Sequence, residues 1–327
     1  MKEFGAVAIV IIAMAVVPLL AVSNVTLNFL IVALMIALAG QGWNVLGGYG
    51  GQYSFGHAAF FGTGAYVTAV LQARYGVNAW IAFGLGIAAG ALIGAIVGGL
   101  TFRSGLRGSY FALVTLAFAE VLRILASVAP ITGAGVGTLV KLDLRPASLQ
   151  FQSRAEFYWM ILALVAIALF VTQLIERSRF GVWLVAVREN EDAAAALGVN
   201  AMAVKLIAMI ISGAITAAAG CFYVQYFLFI DSGLAYGTWM SIEALLTPII
   251  GGVGTVFGPL LGALVVRALG QGAQLIAGGE APGLDLVIYG CILVLIIWFA
   301  PRGLMGGLSR LRNRLLFSAS AAEARHG

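Results

Sequence analysis

Charged residues are scarce in this 327-residue chain. Lys, Arg, Asp and Glu make up 9% of it, whereas hydrophobic residues make up 62% and the mean hydropathy is +1.04. Soluble domains carry about 25% charged residues, so this composition excludes an ordinary soluble globular fold. Long apolar runs, many of them reaching the roughly 20 residues that cross a bilayer, instead predict an all-α polytopic membrane protein.

Cysteine and histidine are also scarce. Cys221 and Cys291 both lie within apolar runs, and His57 and His326 are far apart. These positions exclude a disulfide framework and offer no metal-ligand spacing. The chain also lacks the Gly-Lys-Ser/Thr ending of a P-loop, so we expect it to bind no nucleotide in that manner and no other cofactor or metal. No nucleophile–base–orienter set is visible, so catalysis is not expected.

Ten apolar segments are predicted to span the membrane. The first lacks a net positive start, which favours an uncleaved helix over a signal peptide. We expect residues 1–315 to form a single transmembrane domain and residues 316–327 a disordered cytoplasmic tail. The predicted spans cover residues 5–22, 26–46, 57–73, 78–101, 109–129, 156–175, 202–229, 239–254, 257–277 and 284–300.

The basic residues define the orientation of these spans. With the N-terminus inside, twelve Lys and Arg residues fall on cytoplasmic segments and four on outer segments, as the positive-inside rule requires. Both termini are therefore predicted to be cytoplasmic, and the net charge of +5 needs no nucleic-acid partner. If spans two to five correspond to spans seven to ten, the halves form an inverted 5+5 repeat. Glycine clusters at residues 47–51 and 251–254 are its sequence support.

A short polar segment, Arg188–Gly198, interrupts the apolar sequence. Its first five residues carry four charges. Asn190 is placed to cap a helix, with acids in the first turn and Gly198 as the stop signal. We therefore predict a short cytoplasmic helix from about Asn190 to Leu197. The residues alone leave two roles open, a docking helix for a soluble partner and a solvated connector.

Several ionisable residues fall inside predicted spans, where each is a functional candidate. Glu120 and Arg123 are neighbours on one helix face, so we expect them to pair and to face the protein interior. A structural ion pair that fixes helix register is at least as compatible with their spacing as a functional role. Glu243 and Arg267 are further candidates, and one could pair with the other.

Gly47–Gly56 is rich in glycine and includes Ser54, with His57 immediately after it. Such a segment within a membrane bundle favours a broken helix or a re-entrant turn, covered by protein or lining a cavity. Ser54, His57, Glu243 and Arg267 are accordingly our candidates for a translocation path.

Four segments of the chain, taken together, form a recognisable set: Gly51–Tyr66, Gly108–Phe118, Arg188–Gly198 and Ile250–Ala263. In this order they resemble the permease subunits of the branched-chain amino-acid (Liv-type) ABC importers, and the M-type subunit in particular. The chain departs from the family pattern at Thr132–Gly137, where alanine replaces the second glycine.

The resemblance implies a non-catalytic, multi-pass subunit in the bacterial cytoplasmic (inner) membrane, surrounded by lipid. Its implied partners are a second homologous permease, two cytoplasmic subunits that bind and use ATP, and a periplasmic substrate-binding protein. Residues 176–201 would be the cytoplasmic coupling loop. The implied ATPase-coupling residues are Arg188, Glu189, Asn190, Glu191, Asp192, Ala194, Ala195, Leu197 and Gly198.

The cargo implied by the resemblance is leucine, isoleucine or valine. Urea and short-chain amides are the alternative cargo, because closely similar permeases carry them. An ion-driven secondary transporter, motivated by Glu120 and Glu243, is the alternative from another class, and a passive channel for a small neutral solute is a third.

Overall fold

A computed structural model describes residues 2–20, 22–277 and 303–307, together with residues 287, 290, 291, 294 and 298. Helices dominate it, with two short strands. In chain order, the elements are α1 (Lys2–Val16), α2 (Asn24–Trp43), α3 (His57–Tyr75), α4 (Ala79–Arg103), α5 (Gly108–Val128), β1 (Thr138–Leu139), α6 (Arg154–Arg177), α7 (Arg179–Glu189), α8 (Glu191–Ala196), α9 (Ala201–Phe227), β2 (Phe229–Ile230), α10 (Ser232–Tyr236), α11 (Thr238–Gly251) and α12 (Gly258–Ala277). Short 3₁₀ turns at Val17–Leu20, Pro130–Thr132 and Pro146–Ser148 and a π-helical turn at Asn44–Tyr49 complete the list.

Five described helices are long and apolar enough to cross a membrane, and Gly5–Leu20 is a shorter apolar helix. This confirms the all-α polytopic membrane fold. The third, eighth and ninth predicted spans coincide with α3, α11 and α12, but ten crossings and an inverted repeat stay predictions. The predicted tail lies outside the described residues, as does most of the tenth span. The five long helices are Asn24–Tyr49, Ala79–Arg103, Gly108–Val128, Arg154–Arg177 and Ala201–Phe227.

The central helix is α9, which packs against α2, α3 and α4. Its contact with α4 depends on glycines four residues apart. A Cβ at Gly90 would meet the Cβ of Ala217, and a Cβ at Gly94 would lie 2.7 Å from the Met209 carbonyl oxygen. Small residues let two membrane helices approach closely where lipid offers no hydrophobic driving force. These glycines of α4 therefore form a packing surface for α9.

The connections between helices gather at two ends of the bundle. At one end, β1 pairs antiparallel with β2 and the Trp80 indole nitrogen donates to the Pro146 carbonyl at 3.1 Å. At the other end, Arg107 contacts Glu191 and Asp192 of α8. We call the first the outer end and the second the inner end, following the predicted orientation. The described segments predicted to share a side of the membrane thus lie together.

The predicted break between the second and third spans is present. After the π-helical turn, residues 51–56 are not helical, and α3 begins only at His57. The imidazole Nε2 of His57 lies 2.8 Å from the hydroxyl of Ser212, near the middle of α9. The non-helical segment therefore runs from the inner end to about the middle of the bundle, with Ser54 and Gly56 buried and Tyr53 and Phe55 exposed.

Candidate functional site

The polar segment forms the predicted helix, with the predicted cap. Asn190 Oδ1 accepts a hydrogen bond from the Ala193 backbone N–H at 2.9 Å, and Leu197 is the C-cap. Gly198 has a positive φ of 86°, a backbone conformation that would be strained for a residue with a side chain. Asn200 then caps α9 through the Ala203 backbone N–H at 3.0 Å. Local capping chemistry alone thus defines α8.

Glu191 connects α8 to two other parts of the bundle. One carboxylate oxygen lies 2.6 Å from Lys205 Nζ on α9, and the other lies 3.1 Å from Arg107 Nε, just before α5. Arg107 also donates to Asp192 at 3.2 Å. This hydrogen bond, with the nearby charges of Glu191 and Asp192, raises the pKa of the Arg107 guanidinium. A movement of α8 would therefore act on α9 and on the α4–α5 connection together.

Lys205 was missed by sequence reasoning, which used it only to orient the spans. Its side chain is 4% exposed, and its Nζ lies 5.2 Å from the centre of the Phe102 ring. A buried ammonium needs a counter-ion, and Glu191 supplies it. The available signal was a lone lysine in the first turns of an otherwise apolar helix.

Arg188 links the end of α7 to the break that follows α2. Its Nη1 donates to the Gly48 carbonyl at 2.9 Å, and its Nη2 lies 2.7 Å from a Glu189 carboxylate oxygen. Gly51, at φ 66°, lies so close that a Cβ there would meet the Arg188 side chain. The polar segment Arg188–Gly198 and the break after α2 are thus in direct contact.

The two glycine-rich breaks lie against each other at the inner end. The side chain of Asn44 donates to the Thr255 carbonyl at 2.9 Å and accepts from the Gly254 N–H at 2.8 Å. Gly48 approaches the same place, since a Cβ on it would lie 2.7 Å from the Gly254 nitrogen. Asn44 was not predicted as a site residue, because a single amide in an apolar run gives no indication of a distant partner.

The predicted path residues are brought together only in part. Ser54 and His57 are both buried, and the backbone N–H of Ala58 donates to Ser241 of α11 at 2.8 Å. Glu243, two residues further along α11, is buried as well. Arg267 lies on α12, and within the described structure it forms no ion pair with Glu243. The suggested pairing of those two is not seen as a direct ion pair, and it stays a prediction.

The Glu120–Arg123 pair forms, but it does not face the interior of this chain. Arg123 donates through Nε and Nη2 to the two carboxylate oxygens of Glu120, at 2.8 and 2.6 Å. Both side chains lie on the surface, with 43% of Glu120 and 38% of Arg123 exposed. The i,i+3 spacing predicts the contact correctly but carries no information on which face of α5 packs inward.

A partly apolar surface surrounds α8 at the inner end. Leu197 is 86% exposed, and a cavity of about 370 Å³ lies between it and residues of α7 and α9. Trp183 and Ile207 line that cavity and are partly exposed. Ala195 is exposed, whereas Ala194 is buried against the rest of the chain. Of these two alanines, only Ala195 is placed to touch a partner directly.

A family model described as "Branched-chain amino acid transport system / permease component" matches residues 25–297, most of the chain. The chain belongs to this permease family. It is accordingly a multi-pass membrane permease, consistent with the apolar helices.

Individual relatives agree. The permease is 28% identical to the high-affinity branched-chain amino acid transport system permease protein LivM of Escherichia coli over 317 residues, 87% of this chain and 71% of that protein. It is 26% identical to a probable LivM of Methanocaldococcus jannaschii over 267 residues, 77% of each chain. A xylose transport system permease protein, XylH of Haemophilus influenzae, is 29% identical over 150 residues, 42% of this chain and 37% of its own. No solved structure matches the permease significantly.

Proposed function

We propose that this permease is the non-catalytic transmembrane subunit of an ATP-driven importer of branched-chain amino acids in a bacterial cytoplasmic membrane. Its partners in this proposal are a second, homologous permease, two ATP-binding subunits and a substrate-binding protein. The observation that carries the proposal is the attachment of α8 to the bundle. Glu191 connects this short, exposed helix to α9 and to the α4–α5 connection through Lys205 and Arg107.

The surface of α8 suits a protein partner. It combines the exposed carboxylate of Asp192 with the exposed apolar side chain of Leu197 and the small side chain of Ala195. A rim of charge around an apolar centre is typical of protein interfaces. The cavity behind Leu197 gives an inserted side chain a place to pack.

In the proposed mechanism, closure of the ATPases moves α8 relative to the membrane. Lys205 and Arg107 transmit that movement to α9 and to the α4–α5 connection, because both form an ion pair with the carboxylate of Glu191. Arg188 transmits it to the break after α2 through the Gly48 carbonyl. Because α8 and the adjoining end of α7 are attached to the bundle at three separate points, a displacement of α8 rotates the bundle.

The experiment is a paired substitution of exposed alanines. Ala195→Arg places a long cation on the docking surface, and Ala147→Arg places the same side chain at the outer end, where position 147 is also exposed. Each variant is co-expressed with the other importer subunits, and ATPase co-purification and ATP-dependent leucine uptake are measured. We expect Ala195→Arg to lose both and Ala147→Arg to keep both. Normal co-purification and uptake in Ala195→Arg would refute the coupling role of α8.

The cargo is tested in the same preparation. Excess unlabelled isoleucine or valine should compete with labelled leucine, whereas urea and acetamide should not. Competition by urea or acetamide alone would assign this importer to the amide class instead.

An ion-driven transporter is the second candidate, favoured by Glu243, which is buried and has no ion-pair partner among the described residues. A buried carboxyl of this kind suits proton binding. The permease reconstituted alone with a pH gradient should show no leucine uptake under our proposal. Uptake in that preparation would favour the ion-driven alternative.

A further inference from the structure

The Glu120–Arg123 ion pair lies on a face of α5 that does not pack against the core of this chain. The charges on this face also make it unsuited to contact with lipid. Of the five long helices, α5 is the least buried, since only 28% of its most apolar 18 residues lie inside the structure. At 1.5 Å per residue, Glu120 lies about 12 Å from the outer end of α5 and about 18 Å from its inner end. Charges at such depth are costly against hydrocarbon. That face therefore meets water or polar groups in the assembled protein.

The surroundings of the pair combine charge with apolar surface. Leu116, Glu120, Arg123 and Ser127 follow one another at intervals of four and three residues, so they share one stripe of α5. The exposed apolar side chains of Leu113 and Ile124, seven residues before and four residues after Glu120, lie on the same side of the helix.

The ion pair also has unused capacity. Arg123 uses Nε and Nη2 to reach Glu120, and in the described structure its Nη1 donates no hydrogen bond. A guanidinium has five N–H donors, and a carboxylate has about four acceptor positions. Each partner can therefore bind another charged group without first losing the other.

We propose that Glu120 and Arg123 bind the two charged ends of a zwitterionic amino acid as it passes this face of α5. Glu120 receives the α-ammonium group, and Arg123 receives the α-carboxylate in the planar geometry that guanidinium favours. The apolar surface beside them receives the side chain of the cargo. Net charge is unchanged, because one neutral pair meets another. Urea or an amide would gain little from this arrangement, so the site selects amino acids.

The inference rests on the proposed importer function and sharpens its choice of cargo. Its test uses the purified importer with both permeases and both ATPases. The probes are L-leucine, 4-methylpentanoate, which lacks the ammonium group, and 3-methylbutylamine, which lacks the carboxylate. Binding is measured as ligand-dependent thermal stabilisation in Glu120→Gln, Arg123→Gln and the exchanged variant E120R/R123E. Arg145→Gln, which breaks a comparable exposed ion pair with Asp143 at the outer end, is the control.

We expect leucine to stabilise the wild type more than either analogue. Each single variant should raise the apparent Kd for leucine at least about tenfold, the loss expected for a hydrogen bond to a charged group. Glu120→Gln should leave 4-methylpentanoate unaffected, and Arg123→Gln should leave 3-methylbutylamine unaffected. E120R/R123E keeps an ion pair within the helix and should fold, yet it should not restore wild-type leucine binding.

Wild-type leucine affinity in both single variants would overturn the inference, as would the absence of leucine binding by the wild type. Loss of the second permease during purification of the variants would also overturn it, since the pair would then serve the contact between subunits. Failure of the proposed function is seen separately, as a wild-type importer that takes up no leucine with ATP.

Discussion

At the scale of single residues, Glu191 has the most consequential contacts in this chain. Lys205 is almost completely buried, so its ammonium depends on Glu191 for a counter-charge. Arg107 is more exposed and has Asp192 as a second partner. The same carboxylate therefore neutralises a buried cation on one side and orients a surface cation on the other. Asp192, its neighbour, has only the second of these roles.

Glu191→Gln should uncouple the importer while leaving α8 in place. The amide keeps the shape of the side chain but leaves Lys205 without a counter-charge, at a cost of about 1.5–3 kcal/mol. We expect ATPase subunits to co-purify normally and ATP-dependent uptake to fall by at least about tenfold. Asp143→Asn is the control, because it removes the acid of an ion pair with Arg145 at the outer end, away from α8, and its uptake should stay near wild type. Equal losses in both variants would show that the loss of an ion pair in general, rather than the loss of the Glu191 contacts, lowers uptake.

The outer end offers a test by pH. The Arg145 guanidinium and the Ser148 hydroxyl both bond to Asp143 and lower the pKa of its carboxyl to about 2. A carboxyl whose pKa is lower in the folded than in the unfolded chain stabilises the fold above the unfolded value of about 3.9, and this contribution disappears as pH falls through the folded value. Hydrogen exchange in residues 141–150, once corrected for intrinsic rates, should therefore be as slow at about pH 5.5 as at pH 7 and should become faster from about pH 4 towards pH 2. Asp143→Asn should be less protected at pH 7. A loop that loosens between pH 7 and about pH 5.5 would contradict this assignment.

At the scale of helices, the contact between α4 and α9 should respond sharply to small changes in volume. A Cβ at Gly90 would meet Ala217 and lie 2.9 Å from the Gly213 carbonyl oxygen. Gly90→Ala should therefore destabilise the protein by about 1–3 kcal/mol through overpacking. Gly84→Ala on the same helix meets nothing within 4 Å and should be neutral or stabilising, since alanine has the better helix propensity. Melting temperatures in detergent measure both, and equal values would argue against close helix packing here.

The helices themselves were largely predictable from the sequence, because apolar length and capping residues are local properties. Asn190 and Gly198 define α8 almost to the residue. By contrast, α7 was not predicted, although Ser178 caps it by accepting from the Gly181 N–H at 3.1 Å. It lies within the predicted coupling loop, residues 176–201, and the capping serine was the signal that could have found it.

Contacts between distant helices were not predictable in the same way. The pairing of Glu191 with Lys205 and the double hydrogen bond from Asn44 to the second glycine break depend on how helices pack. Nothing in the spacing of the residues encodes that packing. For Glu120 and Arg123, the sequence correctly predicted the contact along the helix but not the face of α5 that is exposed.

At the scale of the whole molecule, the contacts proposed for coupling lie at the inner end of the bundle. The contacts among the outer loops lie at the outer end. The two glycine breaks meet at Asn44, and Arg188 joins them to the α7–α8 corner. Because these contacts are all at the inner end, a partner that displaces α8 acts on both breaks through only a few contacts. The outer end is held instead by β1, β2 and the loop that contains Asp143.

This separation predicts how the chain lies in the membrane. Single cysteines are introduced at two exposed alanines, Ala147 at the outer end and Ala195 at the inner end. Cys291 is exposed and is first replaced by serine, whereas Cys221 is buried and stays. Intact cells are then treated with a membrane-impermeant maleimide. We expect labelling at position 147 in intact cells and at position 195 only after permeabilisation, because the excess of basic residues places the inner end in the cytoplasm. The reverse pattern would move α8 to the outside, where no cytoplasmic ATPase could reach it, and would exclude the coupling mechanism as a whole.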